Sequence, residues 1–376
     1  MKRICYLTFN DYPSGIYSGQ VIDVCKFWRT ELKLQVTLIA FISFRGFNKN
    51  KKRIKEELPD AIVLPMIPKA RNWTLNRFIL GRFIRKIKPD VIVGRGPFAT
   101  LLALNFRKDR RVCFDARGAY TAELSEYNVL PDEKIKRNIY EIEKAAVFKS
   151  DCRLAVSNAL IGYWKKEFDF RDVCHIIVPC TLNEIFFCEN ESLNLQRNFR
   201  ETMGFKEDEI VLVYSGSSAE WQSFESMDLS IYNLLEKQKN IKVLLLAKPF
   251  KNPLKIQIDF PERVNQMWVK SDEVKDILKA CDYGWLVREN SVTNLVASPV
   301  KFAEYLASGL KVVISETLGD YSEFVRIHKA GIVVSGDMKF SLSKISTEEK
   351  KAMNFLAKKY FSKSAYIEDY KKLLGL

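Results

Sequence analysis

The sequence of 376 residues has only two histidines, no Cys-x-x-Cys pair, no Asp-x-Asp motif and no uninterrupted run of 18 apolar residues. So few histidines disfavour zinc sites and histidine-based catalytic triads. The eight cysteines match no zinc spacing, and they are interpreted as reduced core thiols of a cytosolic protein. Without a long apolar run, no transmembrane helix is predicted. Residues 1–10 are interpreted as a first buried strand rather than a signal peptide.

Charge is distributed unevenly along the chain. Residues 1–110 contain 22 Lys and Arg but only 8 Asp and Glu, whereas the remaining residues contain 38 of each class. The whole excess of +14 therefore lies in the first third, which points to an anionic partner for that region. Two basic clusters lie at residues 49–55 and 77–88, and Trp73, Phe78 and Phe83 accompany the second. They predict either an anionic membrane surface as partner or ordinary amphipathic surface helices.

Short apolar runs alternate with helical stretches, which predicts an α/β protein with parallel sheets. The length suits two domains, and a polar stretch at residues 189–194 is the predicted linker. Predicted strands cover residues 4–7, 36–40, 91–94, 112–115, 153–157, 176–178, 210–215, 243–247, 283–287 and 311–315. Another strand is expected after Gly331. Because ligands of such sheets bind beyond the carboxyl ends of strands, the loops that follow strands are the candidate sites.

The segment 298–315 is the most informative part of the sequence. Ser298 is a predicted N-cap, and Pro299 suits the first turn of the helix that follows. Phe302, Tyr305 and Leu306 form one apolar stripe, and Gly309 ends the helix before a buried strand. N–H groups at Val300 and Lys301 can face a diphosphate, and Glu304 can accept hydrogen bonds from sugar hydroxyls.

This segment resembles the donor-site signature of the retaining glycosyltransferases of family 4, which have the GT-B fold. The matching residues are Ser298, Pro299, Lys301, Glu304, Tyr305, Leu306, Ala307 and Gly309. The resemblance implies two Rossmann-like domains facing across a cleft, with a final helix that returns to the first domain. On that pattern we expect an acceptor-binding domain over residues 1–190, a nucleotide-sugar domain over 191–355 and the returning helix over 356–376. It also implies that Glu304 holds the ribose of the nucleotide.

Other donor-binding candidates follow strands of the predicted second domain. The loop Ser215-Gly216-Ser217 can approach a phosphate closely, but the Arg and Lys that many family members carry there are missing. Arg288 and Lys301 are the candidate replacements. The family's first glutamate is replaced by Val296. In the resemblance, backbone groups around Val269 read the nucleotide base.

In the predicted first domain, Asp115 and Arg117 are the candidate catalytic residues. A carboxylate at a strand end can accept a proton or orient a hydroxyl, and the arginine can bind a phosphate. An ion pair with a purely structural role is the alternative. Gly15, Arg95 and Gly118 are the further acceptor-binding candidates, and Asp-x-Arg-Gly recurs at this place in related bacterial glycosyltransferases.

The resulting hypothesis is a metal-independent hexosyltransferase that moves a sugar, with retention, from a nucleotide-sugar donor to a hydroxyl acceptor. A polyprenyl-linked saccharide of cell-envelope polysaccharide synthesis is the expected acceptor. The nucleotide sugar is a co-substrate, and neither a cofactor nor a nucleic-acid partner is expected. The expected location is the cytoplasm, with peripheral attachment to the inner face of the membrane as an option. A sugar-nucleotide epimerase and a non-catalytic GT-B subunit are the alternatives.

Overall fold

The computed structural model describes residues 1–67, 70–127, 133–171, 173–187, 199–216, 224–335 and 340–376. These residues fall into two compact units. The first unit comprises Met1–Thr181, Val296–Ser298 and Tyr366–Leu376, and the second comprises Leu182–Leu295 and Pro299–Ala365. The predicted linker at residues 189–194 lies outside the described residues.

The first unit is built on one parallel sheet with the strand order β3-β2-β1-β4-β5-β6-β7. Its strands are β1 Arg3–Phe9, β2 Gln35–Ile42, β3 Ile62–Pro65, β4 Val91–Arg95, β5 Arg111–Asp115, β6 Cys152–Ala155 and β7 His175–Ile177. Its helices are α1 Gly15–Tyr17, α2 Asp23–Thr30, α3 Phe47–Glu57, α4 Asn76–Ile87, α5 Gly96–Leu104, α6 Tyr120–Tyr127, α7 Glu133–Lys149 and α8 Asn158–Phe168. A π-helical stretch, Ser18–Ile22, joins α1 to α2.

The second unit has a parallel sheet with the order β10-β9-β8-β11-β12-β13. Its strands are β8 Ile210–Ser215, β9 Ile241–Leu246, β10 Val264–Met267, β11 Tyr283–Leu286, β12 Lys311–Ser315 and β13 Gly331–Val334. The helices that follow in the chain are α9 Phe224–Lys237, α10 Lys255–Asp259, α11 Ser271–Leu278, α12 Val292–Val296, α13 Val300–Ala307, α14 Gly319–His328, α15 Thr347–Phe361 and α16 Ile367–Leu374. The last of these, α16, belongs to the first unit.

The predicted α/β class with parallel sheets is confirmed. Strands β8 and β12 match their predicted ranges residue for residue, and the other eight predicted ranges all overlap observed strands. Strands β3 and β10 were not predicted. Both are edge strands, and β10 reads Val-Asn-Gln-Met with an exposed Asn265, so it lacks the continuous apolar run of a strand buried on both faces.

Helix α13 is fixed by the apolar stripe predicted from its spacing, because Phe302, Tyr305 and Leu306 are all fully buried. The Phe302 ring lies edge-on to Tyr321 and Phe361, with centroid distances of 4.8 and 5.6 Å. Burial of such side chains contributes roughly 1.5–3 kcal/mol each. The helix that carries Lys301 and Glu304 is therefore firmly anchored.

The start of α13 differs from the prediction. Pro299 is the N-cap residue with extended backbone (ψ 119°), and the helix begins at Val300. The Ser298 hydroxyl does not cap it, because Ser298 belongs to the first unit, where Oγ accepts a hydrogen bond of 2.7 Å from the Cys180 N–H. The end of the helix agrees with the prediction, since Gly309 adopts a φ of +81°.

In the described part of the chain, no helix is both long enough and apolar enough to cross a bilayer. The seven cysteines in this part are all free, and six of them are buried; Cys174 is partly exposed. Across the same residues, no cluster of three or more His, Cys, Asp and Glu side chains could hold a metal ion.

Candidate functional site

Each sheet has a point where the chain reverses the direction in which it adds strands. In the second unit it lies between β8 and β11, and in the first unit between β1 and β4. Ligands of open parallel sheets bind beyond the carboxyl ends of strands at such a switch point. Ser215 ends β8, Gly216 comes directly after it, and Arg288 follows β11, so three of the predicted donor-binding residues flank the switch point of the second unit.

Lys301 lies at the centre of the second unit's candidate site. Its ammonium nitrogen packs so closely on Gly216 that a methyl group there would collide with it. The same nitrogen lies 4.5 Å from the centroid of the Tyr214 ring. A side chain at 216 would therefore displace the end of Lys301, and the φ of +154° at Gly216 is itself one that other residues rarely adopt.

The ionisation of this site is strongly perturbed. Burial and the neighbouring Arg288 lower the pKa of Lys301 to about 7, although Glu304 opposes the shift. Burial raises the pKa of Glu304, and Lys301 opposes that shift. Lys301, Arg288 and Glu304 thus lie close together in a poorly solvated environment. A bound anion would raise the pKa of Lys301 again and so favour its protonated form.

The loop after β8 offers fewer N–H groups to a phosphate than the sequence suggested. The Ser215 N–H donates to the Tyr305 hydroxyl (3.1 Å), and the Gly216 N–H donates to the Leu246 carbonyl (3.1 Å). Tyr305 thereby ties α13 to the end of β8. The Ser215 side chain remains as a candidate ligand group, and Ser217 lies outside the described residues.

Arg288 is oriented by a residue that the sequence analysis missed. Asn294 is fully buried, accepts a hydrogen bond from Nη1 of Arg288 (3.3 Å) and donates to the Glu289 carbonyl (3.2 Å). The Arg288 N–H donates to Oγ of Ser315, which ends β12 (3.2 Å). A buried asparagine six residues after an arginine has no sequence signature, so only the fold brings the pair together.

Val269 lies in the loop after β10 and packs partly buried against the core beneath α13. Its neighbour Trp268 is 60% exposed, and the Lys248 ammonium lies 5.8 Å from its ring. Of the residues at the start of α13, Pro299 and Val300 belong to the second unit and Ser298 to the first.

In the first unit, Asp115 ends β5 and is 1% exposed. Arg117 approaches both of its oxygens, with Nε 2.7 Å from Oδ1 and Nη2 3.1 Å from Oδ2. Arg95, at the end of β4, places Nη1 3.6 Å from Oδ2. The predicted residues Asp115, Arg117 and Arg95 therefore form one charged cluster at the carboxyl edge of the first sheet.

Two members of this cluster were not predicted. Tyr6 of β1 donates a hydrogen bond from its hydroxyl to Asp115. Asp11, which follows β1, has Oδ2 3.4 Å from Nε of Arg95. Burial raises the pKa of Asp11, and Arg95 opposes the shift. Asp11 and Arg95 lie on the two sides of the switch point between β1 and β4.

The two acceptor-binding glycines lie in different settings. Gly15 begins α1, which Ser14 caps through a hydrogen bond from the Tyr17 N–H. Gly118 is covered by Glu123 of α6, whose Oε1 would collide with a methyl group at that position. Burial, together with Glu143 and Glu126, raises the pKa of Glu123 to about 7. Gly118 thus permits the close approach of the Glu123 carboxyl group, which a side chain at 118 would displace.

Solved structures with the same fold were found, whereas no protein-family model and no curated protein matches the sequence. HepE of Anabaena, solved in complex with UDP, has a TM-score of 0.72 and 13% identity, with all of both chains covered. Sucrose-phosphate synthase of Thermosynechococcus elongatus has a TM-score of 0.72 and 12% identity over 99% of this chain and 98% of that one. A glycosyltransferase of Rickettsia africae has a TM-score of 0.71 and 14% identity over 99% of each chain. The predicted GT-B fold is confirmed by these similarities.

Proposed function

We propose that the protein is a glycosyltransferase that uses a nucleotide-diphosphate sugar as donor. The observation that carries this proposal is the cluster of Lys301, Glu304 and Arg288 beside Gly216 at the switch point of the second sheet. Cationic groups held close together at that edge suit a diphosphate, and a carboxylate beside them suits sugar hydroxyls. The likeness to HepE, a protein solved with UDP, supports the same assignment.

In this proposal Lys301, Arg288 and the loop at residues 215–217 bind the diphosphate, together with the backbone of residues 298–300. Glu304 accepts hydrogen bonds from the ribose hydroxyls, and the backbone at Val269 contacts the base. Arg288 supplies planar donors and Lys301 a compact charge, so the two are complementary rather than redundant.

The acceptor would bind at the carboxyl edge of the first sheet. Both oxygens of Asp115 are close to arginine nitrogens, so this carboxylate is better suited to orienting Arg95, Arg117 and a substrate hydroxyl than to removing a proton. Gly15 and Gly118 would shape the backbone around the acceptor. For a transfer with retention, an oxygen of the departing diphosphate would take the acceptor proton on the same face of the sugar, and neither a side-chain nucleophile nor a metal is needed.

The finer assignment is a family 4 hexosyltransferase that acts on a polyprenyl-linked saccharide in cell-envelope polysaccharide synthesis. It is supported by the signature at residues 298–309 and by the basic first unit. Helix α4 buries Leu80 and Ile84 and exposes Phe78 together with three arginines and one lysine, as an interfacial helix would. Peripheral attachment to an anionic membrane would bring such an acceptor to the enzyme.

The proposal is tested by thermal unfolding with UDP, GDP, dTDP and CMP, using the wild type, Glu304→Ala and the matched control Glu323→Ala. Glu323 is an exposed glutamate on α14. We expect one nucleotide to raise the unfolding temperature of the wild type and the control, but not of Glu304→Ala. Hydrolysis of the corresponding nucleotide sugar would then separate an enzyme from a non-catalytic GT-B subunit. The absence of a shift with every nucleotide would contradict the donor site.

A further inference from the structure

Three cysteines form a row across adjacent strands of the first sheet, away from the sites described above. Cys113 of β5 is in register with Cys152 of β6. On the other side, Arg153 is in register with His175, and the Arg153 N–H donates to the Cys174 carbonyl (3.1 Å). Cys174 therefore stands beside Cys152 just before β7 begins. We call Cys113, Cys152 and Cys174 the cysteine row.

Two members of the cysteine row are in direct contact. The sulfur atoms of Cys152 and Cys174 are 2.7 Å apart, closer than two non-bonded sulfur atoms normally approach. Neighbouring strands lie about 4.7–4.9 Å apart, which is within the roughly 4.4–6.8 Å that separates the Cα atoms of a disulfide. We propose that Cys152 and Cys174 are a redox-active pair that forms a reversible disulfide when the protein meets a peroxide.

The surroundings assign different roles to the two thiols. Cys174 is partly exposed, and Nη2 of Arg111 lies 3.6 Å from its sulfur. Cys152 is fully buried, and burial raises its pKa to about 12. Cys174 is therefore the thiol that an oxidant reaches, and Cys152 is the resolving thiol.

The chemistry has two steps. The Cys174 thiolate attacks hydrogen peroxide, the O–O bond breaks, and a sulfenic acid and hydroxide are formed. The Cys152 sulfur then attacks the sulfenic sulfur, the S–O bond breaks, and the disulfide and one water molecule are formed. The two sulfur atoms together give up two electrons to the peroxide. A dithiol reductant then reduces the disulfide to the two thiols.

The third cysteine of the row provides a matched control. The Cys113 thiol donates to the Leu373 carbonyl of α16 at 3.1 Å, so it is directed toward the C-terminal helix. Cys113→Ser retains a donor for that carbonyl and leaves the pair intact. It should therefore fold and oxidise like the wild type.

The experiment treats native protein with hydrogen peroxide, blocks the remaining thiols and maps the non-reduced tryptic peptides. Cys152 lies on peptide 150–153, whereas Cys174 lies on peptide 172–197 together with Cys180 and Cys188, so fragment spectra must identify the linked cysteine. We expect a Cys152–Cys174 link in the wild type and in Cys113→Ser, its loss in Cys174→Ser and Cys152→Ser, and its reversal by dithiothreitol. Oxidation should also raise the unfolding temperature by several degrees.

Three results would overturn the proposal. They are the absence of any link from Cys152 in the native wild type, a link from Cys152 to Cys113, Cys180 or Cys188 instead, and a cross-linked peptide 150–153 that persists in Cys174→Ser. Because the wild type itself is informative, the test does not depend on the folding of the serine variants.

Discussion

The two sheet edges hold similar residues in opposite electrostatic arrangements. At the edge of the first unit, the buried carboxylate of Asp115 pairs with Arg95 and Arg117, and Asp11 also pairs with Arg95. Two carboxylates therefore face two guanidinium groups in this cluster. At the edge of the second unit, burial and the like charge of Arg288 lower the pKa of Lys301, and the single carboxylate of Glu304 opposes the shift. Removing a carboxylate from the first cluster would therefore leave buried arginines unpaired, whereas a bound anion at the second edge would offset the repulsion between Lys301 and Arg288.

The largest effect is expected from breaking the compensated cluster. Asp115→Ala leaves Arg95 and Arg117 buried without their shared carboxylate, and loss of one partner of a buried pair costs about 3–5 kcal/mol. Urea unfolding of the variant measures this loss. Asp60→Ala is the matched control, because Asp60 also pairs with an arginine (Arg29) but is 61% exposed; it should cost less than about 1 kcal/mol. Equal losses of unfolding free energy in Asp115→Ala and Asp60→Ala would show that the buried cluster matters no more to stability than an exposed ion pair.

The opposite result is expected in the second unit. Lys301→Ala removes a desolvated cation, so the variant should fold with undiminished stability while its affinity for a nucleoside diphosphate falls. Loss of a hydrogen bond to a charged group costs about 1.5–3 kcal/mol, which corresponds to a 10- to 150-fold weaker complex. Titration calorimetry measures the affinity, and Lys351→Ala, an exposed lysine on α15, is the control. An unchanged affinity in Lys301→Ala would remove Lys301 from the donor site.

The affinity for a nucleoside diphosphate should also depend on pH through Lys301. With a pKa of about 7, Lys301 loses its proton as the pH rises above 7, and a bound diphosphate must restore it. Affinity should therefore fall between pH 7 and pH 9, by at most about tenfold per pH unit. Lys301→Arg keeps its charge over this range and should show a flatter profile. If affinity falls equally steeply with pH in the wild type and in Lys301→Arg, a group other than Lys301 is titrating.

The sequence predicted most of one edge and only part of the other. The stripe of α13 and the strands β8 and β12 follow from local apolar patterns, so the placement of Lys301 and Glu304 could be predicted. Asn294 and Tyr6 could not. Asn294 lies six residues after Arg288 without any local motif, and Tyr6 contacts Asp115, 109 residues away in the chain. The hydrogen bond of the Ser215 N–H could not be predicted either, because its acceptor is the hydroxyl of Tyr305, ninety residues away in the chain.

Net charge also differs between residues 1–110 and the rest of the chain, and the smallest expected effect, on membrane binding, follows from it. The positive excess lies within residues 1–110, and on α4 the side chains of Arg77, Arg82 and Lys86 are exposed beside Phe78. Each basic residue near an anionic bilayer contributes about 1 kcal/mol, so Arg82→Ala should weaken binding to phosphatidylglycerol vesicles about fivefold.

Co-sedimentation of the protein with these vesicles at low and high salt measures this effect. Lys358→Ala on α15 is the control, since an exposed lysine of the neutral region should leave binding unchanged. Equal weakening in both variants would mean that vesicles bind the whole surface and not α4, and binding that resists salt would refute an electrostatic attachment.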